Sequence, residues 1–390
     1  MRQKSVEMNI DDRKIRFSTR FLGIQLFTFF INFTGWDSVT FAIPFWIIYV
    51  LLRFSEKGGV RGLSIKSKII SEFWPLLLWM ALNIFEGIIY IQRSRVLLLM
   101  LCYMIATIFF IVLVDARMNE KEIAFIIKMY TYMGMATTFL ILIERVNVVT
   151  YTNRFTLNVL GHNKDPNFMA AYLLFPAIYS FYNYLVHKSR KGALEFLVVC
   201  LGILLTGSRA AFLGVVISIS TLFLCKIGRI DILKKAIAVM VAASIVIFIL
   251  LPNDMASRFN MVNSLKDDSN HLRLRLWKAG LEIFLDHVWF GAGQNAMITY
   301  SLDYGAPLPM MAHNTFIEIL VEFGCVGFLL FCYPAYKILI KAVKNKQSFI
   351  KSIMVGMLFA TLIISAQNAQ YYWFNLALCS SMSYNKKNYK

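Results

Sequence analysis

Apolar stretches of about 20 residues recur along this chain, each broken by a short polar segment. A stretch of that length crosses the hydrocarbon core of a bilayer as a helix. In lipid every backbone polar group must be satisfied within the structure, which leaves helices or closed barrels. The pattern therefore predicts an all-α, polytopic membrane protein. Composition agrees: 58% of residues are hydrophobic and 16% charged, against about 25% charged in soluble domains. A cytosolic enzyme would leave that apolar surface uncovered.

Spans are predicted near 20–35, 39–53, 72–90, 96–114, 123–143, 167–185, 192–208, 210–225, 234–251, 314–336, 350–367 and 370–383. The second is short for a core about 30 Å thick. The last is also short and admits an interfacial position. The boundary between the seventh and eighth falls at "TGSRAA" and is soft, so the count is eleven or twelve. The chain reads as one transmembrane domain over 1–390. Its net charge of +18 is read as topology and not as a nucleic-acid footprint, because Lys and Arg collect in alternate segments such as "HKSRKG", "KAVKNKQ" and the tail "KKNYK". That bias places both termini in the cytoplasm of a cell that carries the protein in its inner or plasma membrane. No cleavable signal peptide is expected, since the basic start precedes a span without a small-residue cleavage site. The six cysteines lie in or beside apolar runs, as inert buried thiols do.

Two extracytoplasmic segments follow from this order, 144–166 and 252–313. The second is the longest non-spanning stretch, and long loops are often functional. Within it, "RLRLWKAGLEIFLDHVWFG" spaces its apolar residues as an amphipathic helix at the interface would. Near-alternation in "HLRLRLW" also permits a short strand there.

The polar residues at the outer ends of spans carry the chemistry. Arg209, in "LLTGSRAAFLG", is expensive in hydrocarbon and should face a cavity or the outer surface; snorkelling to headgroups is the plain alternative. Arg273 and Arg275 open the amphipathic segment, and Arg273 shares a helix face with Trp277. Guanidinium groups match phosphate oxygens bidentately, so such arginines suit a diphosphate, or else anionic headgroups. In "MAHNTFIEILVEFG", Asn314 suits a helix cap and His313 suits proton exchange. Glu318 and Glu322 follow within the apolar run, where one of them orients His313, holds an arginine or pairs for packing. "GHNKDPNFMAAYLLFP" sets Asp165 and Asn167 about Pro166, either as a rigid entry turn or as a cavity lining. The histidines are too scattered for a zinc signature, and no metal or cofactor is expected. There is no P-loop, dinucleotide fingerprint or GxSxG elbow.

In order, the four segments "GHNKDPNFMAAYLLFP", "LLTGSRAAFLG", "RLRLWKAGLEIFLDHVWFGAGQNA" and "AHNTFIEILVEFGCVGFLLF" resemble the O-antigen ligase and O-antigen polymerase superfamily of bacterial membrane glycosyltransferases. The resemblance covers roughly residues 160–335 by motif and the whole chain by span layout. It implies about twelve helices and a cavity open to the extracytoplasmic side. It also implies transfer of a glycan from an undecaprenyl-diphosphate carrier without nucleotide or metal. The family's first arginine falls on Arg209, its loop arginine on Arg273 with Arg275 as rival, and its histidine on His313. The usual DxPxxGxG pattern reads "DHVWFGAG" here, with Val288 in place of proline.

The resemblance thus implies that Arg209 and Arg273 bind the diphosphate, with Arg275 near it. His313, helped by Glu318, would orient or deprotonate the acceptor hydroxyl, and the anomeric centre would be inverted. Asp165, Asn167, Trp277 and Asn314 would line the substrate. Expected partners are the lipid-linked oligosaccharide, membrane lipids, a flippase and a chain-length regulator; nucleic acid is not among them. Polymerisation of repeat units into capsule or O-antigen is the favoured reading. Ligation of the glycan to lipid A core or another acceptor, and transport of a lipid-linked glycan, are the alternatives.

Overall fold

The computed structural model describes residues 14–28, 32–33, 36–40, 42–57, 67–144, 154–159, 162–225 and 268–384. The span expected at 234–251 and the first part of the long external segment lie outside these residues.

The described part is a helical bundle with two small antiparallel ribbons. Its elements are α1 (Phe17–Gln25), β1 (Asn32–Phe33), β2 (Trp36–Thr40), α2 (Ala42–Glu56), α3 (Ser67–Phe73), α4 (Pro75–Ile89), α5 (Val96–Asp115), α6 (Glu120–Ile143), β3 (Asn158–Val159), β4 (His162–Asn163), α7 (Pro166–His187), α8 (Arg190–Leu205), α9 (Arg209–Cys225), α10 (Asp268–Asp286), α11 (Ala296–Tyr300), α12 (Thr315–Lys344), α13 (Ser348–Thr361) and α14 (Gln370–Tyr384). Four of them, α5, α6, α7 and α12, are long and apolar enough to cross a membrane. Three shorter apolar helices, α4, α9 and α13, accompany them. A multi-pass, largely helical membrane protein is what these residues form. All six cysteines are free thiols.

Three expectations change. The first span, placed at 20–35, is helical only as far as Thr28, where a single 3₁₀ turn ends it; the chain then enters the β1–β2 ribbon. The segment "HLRLRLW" is wholly helical, as part of α10. The last helix, for which an interfacial position was open, is enclosed by protein: every residue from Gln370 to Ser383 is buried, against α5, α7, α12 and α13. Its Trp373 meets Phe110 and Phe331, and its Tyr372 stacks on Phe331 with centroids 5.4 Å apart. Aromatic pairs of this kind add about 0.5–1.5 kcal/mol each beyond burial.

Helices close on one another through small residues, as expected where lipid tails compete for every apolar face. Gly214 and Ser218 of α9 meet Ser352 and Gly356 of α13, each pair four residues apart. Ser352 donates to the Ser218 carbonyl at 2.5 Å, and a β-carbon on Gly356 would stand 2.5 Å from the Gly214 carbonyl.

One end of the bundle is tied by ion pairs. Arg16 makes a bidentate pair with Glu122, 2.5 Å on each side, and Glu122 also closes the capping box at the start of α6. Arg53 pairs with Glu56 at 2.7 Å, and Lys57 with Asp115. The other end of α6, a helix about 36 Å long, lies towards the segment that leads into α7, of which residues 154–159 and 162–165 are described.

Helix α12 is two half-helices. Gly324 has φ +62° and ψ −164°, a region open essentially to glycine alone. The break frees backbone groups that must be paired inside a membrane, and residues 288–293 pair them. Ala292 and Gly293 donate to the carbonyls of Val321 and Glu322 at 2.8 and 3.0 Å; Cys325 and Val326 donate to those of Val288 and Trp289 at 2.8 and 3.1 Å. The backbones lie so close that a β-carbon on Gly291 would collide with the Glu322 carbonyl group.

This contact predicts an unequal pair of substitutions. Gly291→Ala meets backbone that has nowhere to go and should cost about 3 kcal/mol or more. Gly305→Ala, at a similar φ with nothing within 4 Å, should cost about 1 kcal/mol. Thermal unfolding in detergent reads the difference, and equal shifts would refute the pairing.

Candidate functional site

Each side chain that the sequence singled out is placed by the end of a helix. Pro166 starts α7, and Asp165 caps it: its Oδ1 accepts from the N–H groups of Asn167 at 2.6 Å and Phe168 at 3.4 Å. Asn314 caps α12 in the same way, accepting from Phe316 and Ile317 at 3.0 and 3.2 Å. In both, a short side-chain oxygen satisfies an otherwise orphaned N–H; the sequence suggests this role for Asn314, and for Asp165 only the entry turn about Pro166. Between α8 and α9 the chain turns through Gly207 at φ +61°, and Arg209 is the first residue of α9.

These ends are joined in a ring by hydrogen bonds, by electrostatic proximity and by the chain itself. Arg209 donates from Nη2 to Asn270 Oδ1 on α10 at 3.2 Å. Arg273 lies three residues on, so the two share a face of α10. Arg273 is close enough to act electrostatically on His313, and so is Asp165. From Asp165 the ring continues through Asn167, whose Oδ1 accepts from Arg154 Nη2 at 2.7 Å, while Arg154 Nε donates to the Thr206 carbonyl at 2.7 Å. Thr206 lies three residues before Arg209, which closes the ring.

Arg154 is absent from the expectations above. It belongs to a segment sewn onto the α8–α9 break: Phe155 N–H donates to the Leu205 carbonyl at 3.1 Å, and Lys164 N–H to that of Leu157 at 2.9 Å. A second unexpected arginine is Arg93, whose guanidinium donates to the carbonyls of Ala292 and Gln294 at 2.8 and 3.2 Å and to Tyr300 Oη at 2.9 Å. Arg93 thus fixes the pairing segment beside α12. Neither arginine stands in a motif that the sequence flags.

Other expected residues are placed differently. Arg275 is exposed and lies two residues from Arg273, on a different face of α10; Arg273 is the one beside His313. Trp277 donates from Nε1 to the Ala312 carbonyl at 2.8 Å and so holds the strand of chain that carries His313. Glu318 is buried and turned to the backbone: Oε1 accepts from His313 N–H at 3.2 Å and from Ser365 Oγ, and Oε2 accepts from Gln367 Nε2. Glu322 accepts from Asn295 N–H at 2.9 Å, away from the ring.

His313 is mostly buried, and its imidazole is held below its ordinary pKa. Burial is the larger cause, the Arg273 guanidinium adds to it, and Asp165 opposes it. The ring is therefore neutral at pH 7 and able to accept a proton. Two guanidinium groups and a neutral imidazole suit an anion that reacts with a hydroxyl. Among the described residues, no three His, Cys, Asp or Glu side chains group as a metal site would.

Residues 194–332 match the family described as O-antigen ligase, so the chain contains a domain of that superfamily. Arg209, Arg273 and His313 all lie within the matched residues; Arg154, Asp165 and Asn167 precede them. No curated protein matches the chain.

The electrostatics predict a titration. Histidine NMR of labelled protein in nanodiscs should show His313 with a midpoint below about 6.5. Asp165→Asn keeps the cap but removes the anion that favours the imidazolium, so the midpoint should fall further. A rise in that variant would mean that Asp165 does not face His313.

Proposed function

From the family match and the Arg209–Arg273–His313 grouping, we propose that the protein is a membrane glycosyltransferase. It moves a glycan from an undecaprenyl-diphosphate carrier to an acceptor hydroxyl on the extracytoplasmic side. The observation that carries this reading is the Arg209–Asn270 hydrogen bond, which brings the arginine of the α8–α9 break to the helix that bears Arg273. Two guanidinium groups so placed can grip the two phosphates and stabilise the negative charge that grows on the leaving oxygen.

The step balances as an inverting displacement. The acceptor O–H bond breaks, and its proton goes to the neutral imidazole of His313. The acceptor oxygen bonds the anomeric carbon from the face opposite the diphosphate. The bond from that carbon to the phosphate oxygen breaks, and its electron pair leaves with the lipid diphosphate. In this reading the lipid tail stays among the spans, both termini are cytoplasmic, residues 252–313 form an extracytoplasmic cover, and the whole bundle has about twelve helices. The diphosphate linkage supplies the driving force, so no nucleotide is consumed.

The family's description favours the ligase outcome, transfer of an assembled glycan to a separate acceptor, over the polymerisation that the sequence favoured. The shared donor chemistry is the same, and the acceptor decides. Purified protein in lipid would be given undecaprenyl-diphosphate glycan with a lipid A core acceptor or with further repeat units alone. A single adduct on the acceptor supports ligation; a ladder spaced by one repeat supports polymerisation. Unchanged donor under both conditions would overturn the glycosyltransferase reading.

The same assay separates the arginines. Arg209→Ala, Arg273→Ala and His313→Ala should each lower turnover by about 100-fold or more. Arg275→Ala should stay within about threefold, because its exposed side chain does not join the ring. An Arg275 effect as large as that of Arg273 would mean that α10 is rotated during the reaction.

A further inference from the structure

His313 has φ +52°, a left-handed conformation that a β-carbon disfavours. A side chain that must be aimed is thus attached to backbone that would relax elsewhere if left alone, and the structure holds it from one side in particular. The His313 N–H is taken by Glu318 Oε1 at 3.2 Å. Glu318 is in turn gripped by Ser365 Oγ on the same oxygen and by Gln367 Nε2 on the other.

Ser365 and Gln367 belong to the turn between α13 and α14, which lies beyond the residues that match the family. That turn is fastened to the first residue of α12. Thr315 N–H and Oγ donate to the Ile364 carbonyl at 3.2 and 2.6 Å, and Ala366 N–H donates to Thr315 Oγ at 2.8 Å. Behind it, Trp373 Nε1 donates to the Gln367 carbonyl at 2.8 Å. Glu318, Ser365 and Gln367 are each 3% exposed or less, so the cluster is shielded from bulk solvent and its hydrogen bonds are correspondingly stronger.

We propose that Ser365 and Gln367, acting through Glu318, are positioning residues that hold the His313 backbone in its left-handed turn and so aim its imidazole at the acceptor. The inference rests on the glycosyltransferase reading of His313. It gives the α13–α14 turn a part in turnover and gives Glu318 no proton to carry. A misaimed general base slows the chemical step and leaves donor binding alone, because the arginines that hold the diphosphate are on α9 and α10.

The test turns on the two ways of replacing Glu318. If the carboxylate only accepts hydrogen bonds, Glu318→Gln can still accept from His313 N–H and Ser365 Oγ through its amide oxygen. Its NH₂ can then meet Gln367 Oε1, which has no partner in the present arrangement, once the Gln367 amide turns over. Glu318→Leu can do neither. With purified protein in lipid and the undecaprenyl-diphosphate glycan as donor, Glu318→Gln should keep kcat within about fivefold of the parent. Glu318→Leu and the double variant Ser365→Ala with Gln367→Leu should lose about 100-fold in kcat, the scale of a misplaced catalytic group, with donor KM within about threefold.

Ser365→Ala alone, which removes one hydroxyl, should lose about tenfold in kcat and serves if the double variant does not fold. Retained donor affinity in a binding measurement identifies the folded variants. Equal losses in Glu318→Gln and Glu318→Leu would overturn the proposal in favour of an ionised carboxylate acting on the proton. A parent-like kcat in folded Ser365→Ala or in the folded double variant, or a change confined to KM, would also overturn it. Those failures occur in an active parent and leave the glycosyltransferase reading standing; an inactive parent takes both down.

Discussion

The break in α12 at Gly324 is the constraint on which the arrangement around the candidate site depends. A helix interrupted at membrane depth must find partners for its freed N–H and C=O groups, because lipid supplies none. Residues 288–293 supply them, and in doing so they stop being a free loop. Gly291 and Gly324 permit the two backbones to touch, and Arg93 clamps the pairing segment from the α4–α5 side. Once that segment is fixed, the end of α10 that leads into it is fixed too. Helix α10 then lies along α12 with Leu276, Ala279 and Ile283 buried. Arg273 is held near the start of α12, where His313 stands. The relation between a guanidinium and an imidazole 40 residues apart is thus set by backbone hydrogen bonds at a glycine that touches neither.

Much of this was legible in the sequence, and the rest was hidden for identifiable reasons. Apolar length announced the bundle, amphipathic spacing announced α10, and the turn about Pro166 and the cap residue Asn314 announced the starts of α7 and α12. Hydropathy counts side chains and does not see neighbours, so α14, a short apolar run with Gln370, Asn375, Ser380 and Ser381 among its residues, left an interfacial position open. It lies in the interior because aromatic and small faces from four helices enclose it. A break such as Gly324 is invisible to the same measure, since "FGCVGFLL" is apolar around two glycines, of which Gly324 breaks the helix and Gly327 does not. Arg154 had no spacing to single it out: its importance is in the contacts that carry it across to Asn167 and Thr206, and a non-local contact leaves no local pattern. Glu318 was visible as a buried acid, but its direction, toward the backbone of His313, follows from the α13–α14 turn.

The two ends of the bundle use their cations in different ways. At one end Arg16, Arg53 and Lys57 meet Glu122, Glu56 and Asp115, and each charge is matched by its opposite. Such pairs fix helices together and do little else. At the other end amide and carbonyl oxygens take part as well: Asn270 accepts from Arg209, and Asn167 with the Thr206 carbonyl accepts from Arg154. Such hydrogen bonds fix the plane of a guanidinium fork, and in the proposed reaction a fork already oriented would bind a diphosphate at a lower entropic cost. The neighbouring histidine fits the same logic. Burial first, and then the Arg273 guanidinium, push its pKa down and so favour the neutral ring. In the proposed reaction, the arginine that would help hold the leaving group would thus also help to keep His313 ready to act as a base.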